Sequence, residues 1–484
     1  MVKYLWKECN LLVFFGVYIS INKKEDIFMK KLSQLLALIL VISMLFILSS
    51  CSGMNSAGGA AGGYGGGYDG GYGSGAPEGG GDSILGDDVM NDAAPEDGDL
   101  GSEDSGEGEA DKGEEVDPEQ IVLPAGMITA GAWNDNDNYS FWLEQFSQGE
   151  VNGKFYNYTL PGQSWGFNSL KRVKVEVTCG ENVVAGAEVT ATDDNGNTMF
   201  RAVTDAAGKA YLFVDEAEGN ITVTSGEGSA ISRFDTENRN ISVNLEKSAS
   251  KLNVIEIMLV VDVTGSMGDE ITFLKAELAD VIKRIAANDS EATIKLAMLF
   301  YRDTEDKVPF DYYDFTDVTA ENGMAAQQTA LNSQSATGGG DYPEAVDEAL
   351  NIAVGKQWST GATTKIIFHV LDAPAHQGNK YAQKLVTATK TAAEKGIRIC
   401  PIICSGAMGD TEYTMREAAI YTGGTFIFVT DDSGIGGSHH DPDLPNVTVE
   451  LLNSLMVRLV NGYHTGEFAD PVFWKEDPNL ALKK

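Results

Sequence analysis

From about Leu252 to Val460 the chain alternates apolar, β-branched runs with stretches of helical length, and no other feature restricts its fold as tightly. The runs are IEIMLVVDV, TIKLAMLFY, KIIFHVL, IRICPIIC and GTFIFV. Between them lie helical stretches reaching to about Ala287, near Met324 to Asn332, after Pro343, and from Tyr381 to Lys395. A run that is apolar at nearly every position, rather than at every second one, fits a strand covered on both faces. Such strands in alternation with helices predict a doubly wound, mostly parallel α/β sheet with helices on both sides. Ligands of these sheets sit at the carboxyl ends of the strands, so the residues after each run are the informative ones.

Three loops carry oxygen donors there. The first run ends in Asp262-Val263-Thr264-Gly265-Ser266, a carboxylate and two hydroxyls at alternate positions. Asp262 or Thr264 could simply cap the helix that starts near Met267, but capping does not require all three groups. KIIFHVL ends in Asp372, a second carboxylate at the end of another core strand. Upstream, Ala336 to Val346 is ATGGGDYPEAV, in which the glycines permit close backbone approach while Asp341 and Glu344 can point inward. Carboxylate, hydroxyl and water oxygens are the donors that Mg2+ prefers.

Together these loops resemble the metal-ion-dependent adhesion site of the von Willebrand factor A family, over roughly Leu252 to Val460. The resemblance implies Mg2+ held by Asp262, Thr264, Ser266 and Asp372, with Thr264 in place of the commoner serine. The second loop departs from the commonest pattern, and Asp341-Tyr-Pro-Glu344 looks more like the Asp-x-Pro-Glu of integrin β subunits. It therefore implies Glu344 as the next ligand, then Asp341, then Thr337. Three carboxylates in the shell would make Ca2+ or Mn2+ alternatives to Mg2+. The region is also similar to the A-type domain found beside alpha-kinases, without a kinase signature. His376 has no second histidine or cysteine nearby and reads as a loop-packing residue. Asp303, at a strand end, reads as a surface carboxylate or a partner of Arg302 with a supporting role open to it.

Upstream the periodicity is different. Between Lys171 and Lys247 the runs RVKVEVT, AEVTATD, TMFRAVT, KAYLFVD, NITVTSG and NISVNLE alternate and are separated by turn residues, which predicts a small all-β sandwich over 170–248. The string VAGAEVTATDDNGNTMFRAVTDAAGKAYLFV resembles carboxypeptidase regulatory-like (transthyretin-like) domains, which implies a spacer or accessory binding module. Residues 120–169 read as an aromatic-rich connecting segment. Its Asp135 and Asp137 alternate as in a calcium loop, but the sixth and twelfth positions are Ser140 and Phe146, so a cap for the helix after Asn138 is the better reading.

The N-terminal part concerns location. Met29-Lys30-Lys31, the apolar Leu32 to Leu48 and Leu48-Ser49-Ser50-Cys51 have the order of a bacterial lipoprotein signal ending in a lipobox. That resemblance implies that Cys51 is diacylated and that acyl chains hold the mature chain to the membrane, at an extracytoplasmic surface. A signal that starts so well at Met29 suggests a mis-assigned translation start for residues 1–28, the alternative being a longer N-region that carries the apolar run Leu11 to Ile21, short for a span. Residues 52–119 are Gly-rich, then acidic, too poor in apolar groups to fold, and read as a disordered tether with a span of roughly 45 Å. Sixteen acidic residues and one lysine lie between Asp82 and Glu119. With a net charge of -36 the chain would repel nucleic acid, so no nucleic-acid partner is expected. The five cysteines show neither zinc nor disulfide spacing, and Cys400 and Cys404 read as buried hydrophobes.

The expected function is binding, not catalysis: a membrane-anchored surface protein whose A domain, 252–462, offers a metal to a carboxylate of another surface or extracellular protein. Residues 463–484 are left as a C-terminal tail. Two alternatives remain, a metal-dependent surface hydrolase and a scaffold whose metal only stabilises it. No activated nucleophile, histidine cluster or second metal set favours the first.

Overall fold

The computed structural model describes residues 128–146, 158, 164–250, 252–360, 364–407, 409–433, 442 and 444–481. Cys51, the signal segment, the 52–119 tether and residues 1–28 fall outside these. Among the described residues no helix is long and apolar enough to cross a membrane.

The apolar runs form five parallel strands: β10 (Val254–Asp262), β11 (Thr293–Tyr301), β13 (Thr364–Leu371), β14 (Ile397–Ile403) and β15 (Phe426–Thr430). Every residue of β13 and β14 is buried, including Lys365, His369 and Arg398, which interrupt their largely apolar runs. Three strands joined by antiparallel pairings extend the sheet at its edges. These are β12 (Phe310–Asp317) on β11, and β1 (Thr129–Trp133) between β15 and β16 (Glu450–Leu451). The full order is β12-β11-β10-β13-β14-β15-β1-β16. After β10 the chain first adds strands on one side and then returns to the other with β13, so the carboxyl ends of β10 and β13 flank the switch point.

Helices α2 (Gly268–Asn288) and α7 (Leu452–Thr465) pack together, and their apolar stripes join the core on one face of the sheet. The other face carries α4 (Val346–Gly355), α5 (Asn379–Glu394) and α6 (Gly409–Thr422). A further helix, α3 (Gly323–Asn332), lies against α2 and β12.

The alternating region forms two four-stranded sheets with a shared core. One contains β2 (Arg172–Cys179), β3 (Asn182–Val183), β6 (Lys209–Phe213) and β9 (Asn240–Asn244); β9 runs parallel to β2. The other has the order β5 (Thr198–Val203), β4 (Glu188–Thr192), β7 (Gly219–Ser225) and β8 (Gly228–Phe234). This sandwich core is continuous with one core of the α/β sheet through Tyr421 of α6, whose ring stacks on Phe213 at 4.8 Å and meets Phe200 at 5.5 Å.

The connecting segment is more than a connector, since it supplies β1 to the main sheet and the short helix α1 (Tyr139–Glu144). The expected capping at Asn138 is not made: its amide donates to the Asn134 carbonyl, and Asn134 Oδ1 instead accepts the Asn136 and Asp137 N–H groups. Asp135 is buried against Arg416 of α6. The tail packs as well, with Trp474 and Leu480 buried beside Leu451.

Candidate metal centre

The three loops named by the sequence are tied to one another by backbone hydrogen bonds. In the first loop, Asp262 Oδ1 accepts both the Thr264 N–H at 2.9 Å and the Thr264 hydroxyl at 2.7 Å, which fixes the carboxylate in plane. The second loop is laced to the first by Thr337 N–H to Val263 O at 3.0 Å and Gly265 N–H to Gly338 O at 3.3 Å. It is laced to the third by Glu344 N–H to Pro374 O at 3.0 Å and a bridge between Glu344 and Ala375. Gly338 and Gly339 have φ of +85° and +73°, the left-handed conformation that lets the backbone turn tightly over Thr264.

Four of the seven predicted residues, Asp262, Thr264, Glu344 and Asp372, are buried, while Ser266 is exposed and lowers the Asp372 carboxyl against the effect of burial. Thr337 and Asp341 lie exposed on the rim. Of that loop's two acids, Glu344 is the buried one.

The site is electrostatically unbalanced. Asp262 Oδ2 and Glu344 Oε2 are buried without any hydrogen-bond partner. Burial, with the repulsion of Asp262 and its acidic neighbours added, pushes the Glu344 carboxyl up to about 9. Burial likewise pushes Asp262 up to about 7 against the lowering effect of Thr264, and Asp372 is raised by burial. Buried, unpaired carboxylate oxygens are costly unless a cation compensates them. The surrounding donors are oxygens alone, the set a hard divalent ion takes. Among the described residues no three His, Cys, Asp or Glu side chains are gathered closely enough to hold an ion unaided. Hydroxyls and water would have to complete any shell here.

Residues 256–430 match the von Willebrand factor A domain family. A protein of Acanthamoeba polyphaga mimivirus described as an ariadne-like RING finger protein is 26% identical over 223 residues, 42% of this chain but only 20% of its own length. Among solved structures, BatB of Bacteroides thetaiotaomicron matches with 16% identity and a TM-score of 0.25, covering 47% of this chain and 95% of that one. The pilus adhesin SpaC of Lactobacillus rhamnosus GG, in its open conformation, matches with 11% identity and a TM-score of 0.28, covering 48% and 32%.

Around the three loops lies a supporting ring that the sequence only partly marks. Asp303 pairs with His376 Nε2 at 2.7 Å, not with Arg302, so the histidine fastens the loop after β13 to the loop after β11. Arg302 instead donates to the carbonyls of Thr337 (2.7 Å) and Ser335 (3.2 Å), holding the second loop in place. Asp306 accepts the Gly339 N–H at 3.0 Å. Beneath the site His369 is buried against the Tyr301 hydroxyl at 3.1 Å, and burial lowers its pKa to about 3, so its ring stays neutral. Glu270 of α2 is a further buried acid, held by the Ser405 hydroxyl at 3.1 Å. No motif marks it, because it lies inside a helix whose pattern reads as amphipathic.

One substitution tests this geometry directly. A Cβ on Gly339 would stand 2.7 Å from Glu344 Oε1 and 3.2 Å from Thr264, at a positive φ that itself costs about 1 kcal/mol for a non-glycine residue. Gly339→Ala is expected to lower the melting temperature slightly and to weaken Mg2+ uptake about tenfold by displacing Glu344, since supporting residues of metal sites typically count for that much. Calorimetric titration checks it, and unchanged affinity would mean that Glu344 is not part of the site.

Proposed function

We propose that this chain is a surface binding protein, anchored through lipidated Cys51, whose A domain captures an acidic group of another protein on a divalent metal. Asp262, Thr264, Ser266, Asp372 and Glu344 hold the ion, Mg2+ in the first place and Mn2+ or Ca2+ as alternatives. The observation that carries this reading is that Asp262 Oδ2 and Glu344 Oε2, from two different loops, are both buried without a hydrogen-bond partner while the Asp262 charge acts on Glu344. An ion bound there supplies an electrophilic position that a partner's carboxylate can complete.

The chain's own residues prepare that position. Thr264 takes up Oδ1 of Asp262 with two hydrogen bonds, which leaves Oδ2 for the ion. Ser266 orients Asp372, and the exposed rim of Ser266, Thr337, Asp341 and Tyr342 leaves the centre reachable from outside. The sandwich serves as a spacer or accessory module of the carboxypeptidase regulatory-like kind, and the 52–119 tether carries both domains away from the membrane.

The test is capture of a partner from surface extract by the purified chain, with and without EDTA. Loss of the captured protein in EDTA and its return with Mg2+ are expected. Equal capture in both conditions would sink the metal-dependent reading.

A further inference from the structure

A second cavity lies on the sandwich, and it shares no residue with the metal loops. A cleft of about 490 Å3 opens where the sandwich meets the aromatic segment, lined by Tyr139, Leu170, Lys171, Arg172, Thr236 and Arg239 among others. That volume lies within the range of small-molecule sites. We propose that this cleft binds a small organic anion, a sugar unit carrying a carboxylate or a phosphate.

The charge distribution carries the argument. The chain holds 71 acidic residues against 35 Lys and Arg, and several of its other arginines and lysines sit in ion pairs, such as Arg233 with Asp194 and Glu218, Arg458 with Glu450, and Lys384 with Asp347. The three cations of the cleft do not. Lys171 donates to the Asp215 carbonyl at 2.8 Å. Arg172 Nη1 donates to the carbonyl and side-chain oxygens of Asn136 at 2.6 and 3.0 Å. Arg239 donates to the carbonyls of Val214 and Glu216. All these acceptors are neutral, and among the described residues none of the three cations has a carboxylate in ion-pair reach. Of the lining residues Glu216 alone is acidic, so three cations minus one anion leave two positive charges facing one cavity. Asp137, Asp215 and Glu216 act on the two arginines only from longer range. Burial lowers the pKa of both against the raising effect of these acids.

The shape defines the ligand further. The Arg172 guanidinium lies 3.9 Å from the centre of the Tyr139 ring, which holds its plane fixed, and its Nε and Nη2 have no acceptor among the described residues. A planar fork of this kind matches a carboxylate or a phosphate. Beside it, Leu170 is 44% exposed and Ala217 adds apolar wall, while Thr236 and Asn240 offer a hydroxyl and an amide. Anchor, apolar wall and scattered polar groups suit a sugar acid or sugar phosphate better than a bare inorganic ion.

The experiment is titration of the full chain with glucuronate, glucose 1-phosphate and glucose, followed by calorimetry. At least one of the two anionic probes is expected to bind saturably and to weaken as salt is added, with glucose at least about tenfold weaker. Whichever anion binds tighter identifies the source, carboxylated or phosphorylated. Arg239→Gln and Lys171→Gln should each lower that affinity about threefold to tenfold. Lys171 is an exposed side chain, so its variant keeps the test decisive if Arg239→Gln disturbs the fold. No saturable binding of either anion up to about 10 mM, equal binding of glucose, or unchanged affinity in Lys171→Gln would overturn the proposal.

Discussion

Asp262→Asn is expected to lose Mg2+ and Mn2+ affinity on the order of 100-fold or more, since even outer-shell partners of metal sites count for 10- to 100-fold. In EDTA the same variant should melt no lower than the native chain at pH 8. The reason is the sign of the native carboxyl's shift. Its folded pKa of about 7 lies above the unfolded value, so the metal-free folded state binds the extra proton and its stability declines as pH rises through that window. The amide introduced in place of this carboxyl cannot ionise, so the variant escapes that decline while keeping an oxygen for the Thr264 hydrogen bonds. Metal binding has the opposite slope with pH. Protons on Asp262 and on Glu344, whose carboxyl is pushed up to about 9, must leave before the oxygens can bind an ion. Affinity in the native chain should therefore fall as pH drops from 8 to 6, and fall less in the variant. Calorimetry at several pH values with matched melting curves measures both effects. A variant that binds Mg2+ like the native chain would remove Asp262 from the site.

Arg416→Met should lower stability by about 3–5 kcal/mol, the usual result of removing one partner from a buried ion pair. Arg416 is a buried side chain that joins Asp135 through Nη2 (2.6 Å) and Nε (2.9 Å), Glu412 through Nη1 (3.0 Å) and the Tyr158 hydroxyl (3.2 Å). Its guanidinium also lies over Trp142 at 5.0 Å. Methionine fills much of the volume but leaves two carboxylates buried without their cation. A fall in melting temperature of roughly 5–10 °C is expected. Asp135→Asn added to Arg416→Met should recover part of the loss, because one stranded charge is then gone. A melting temperature unchanged in the single variant would show that the network contributes nothing to the union of the aromatic segment with α6.

These two residues mark the limits of what sequence reading reaches. The five parallel strands were legible because burial on both faces demands apolar side chains at successive positions, and few alternatives satisfy that demand. Asp262, Thr264, Ser266 and Asp372 were legible because they follow such strands at once, where the topology admits a ligand. Strand β1 was not: TAGAW is short, and its partners Thr430 and Leu451 are some three hundred residues further along the chain. Helix α6 was not legible either: none of the stretches read as helical covers it, and its Glu412, Arg416 and Glu417 are all buried. Asp135 of the aromatic segment pairs with Arg416, while Tyr158 and Ser169 donate hydroxyls to Glu412 and Glu417, contacts no local period reveals.

The sequence by itself therefore determined the class of the fold, the edge at which its donors gather and the kind of atom they offer. It left open which acid of the second loop turns inward, which residue holds Asp303, and that the aromatic segment belongs to the main sheet. Only the tertiary structure decided these, because each depends on side chains from distant segments excluding water from the same space. Burial of that kind is a property of the packed whole, whereas periodicity records only what each segment can bury alone.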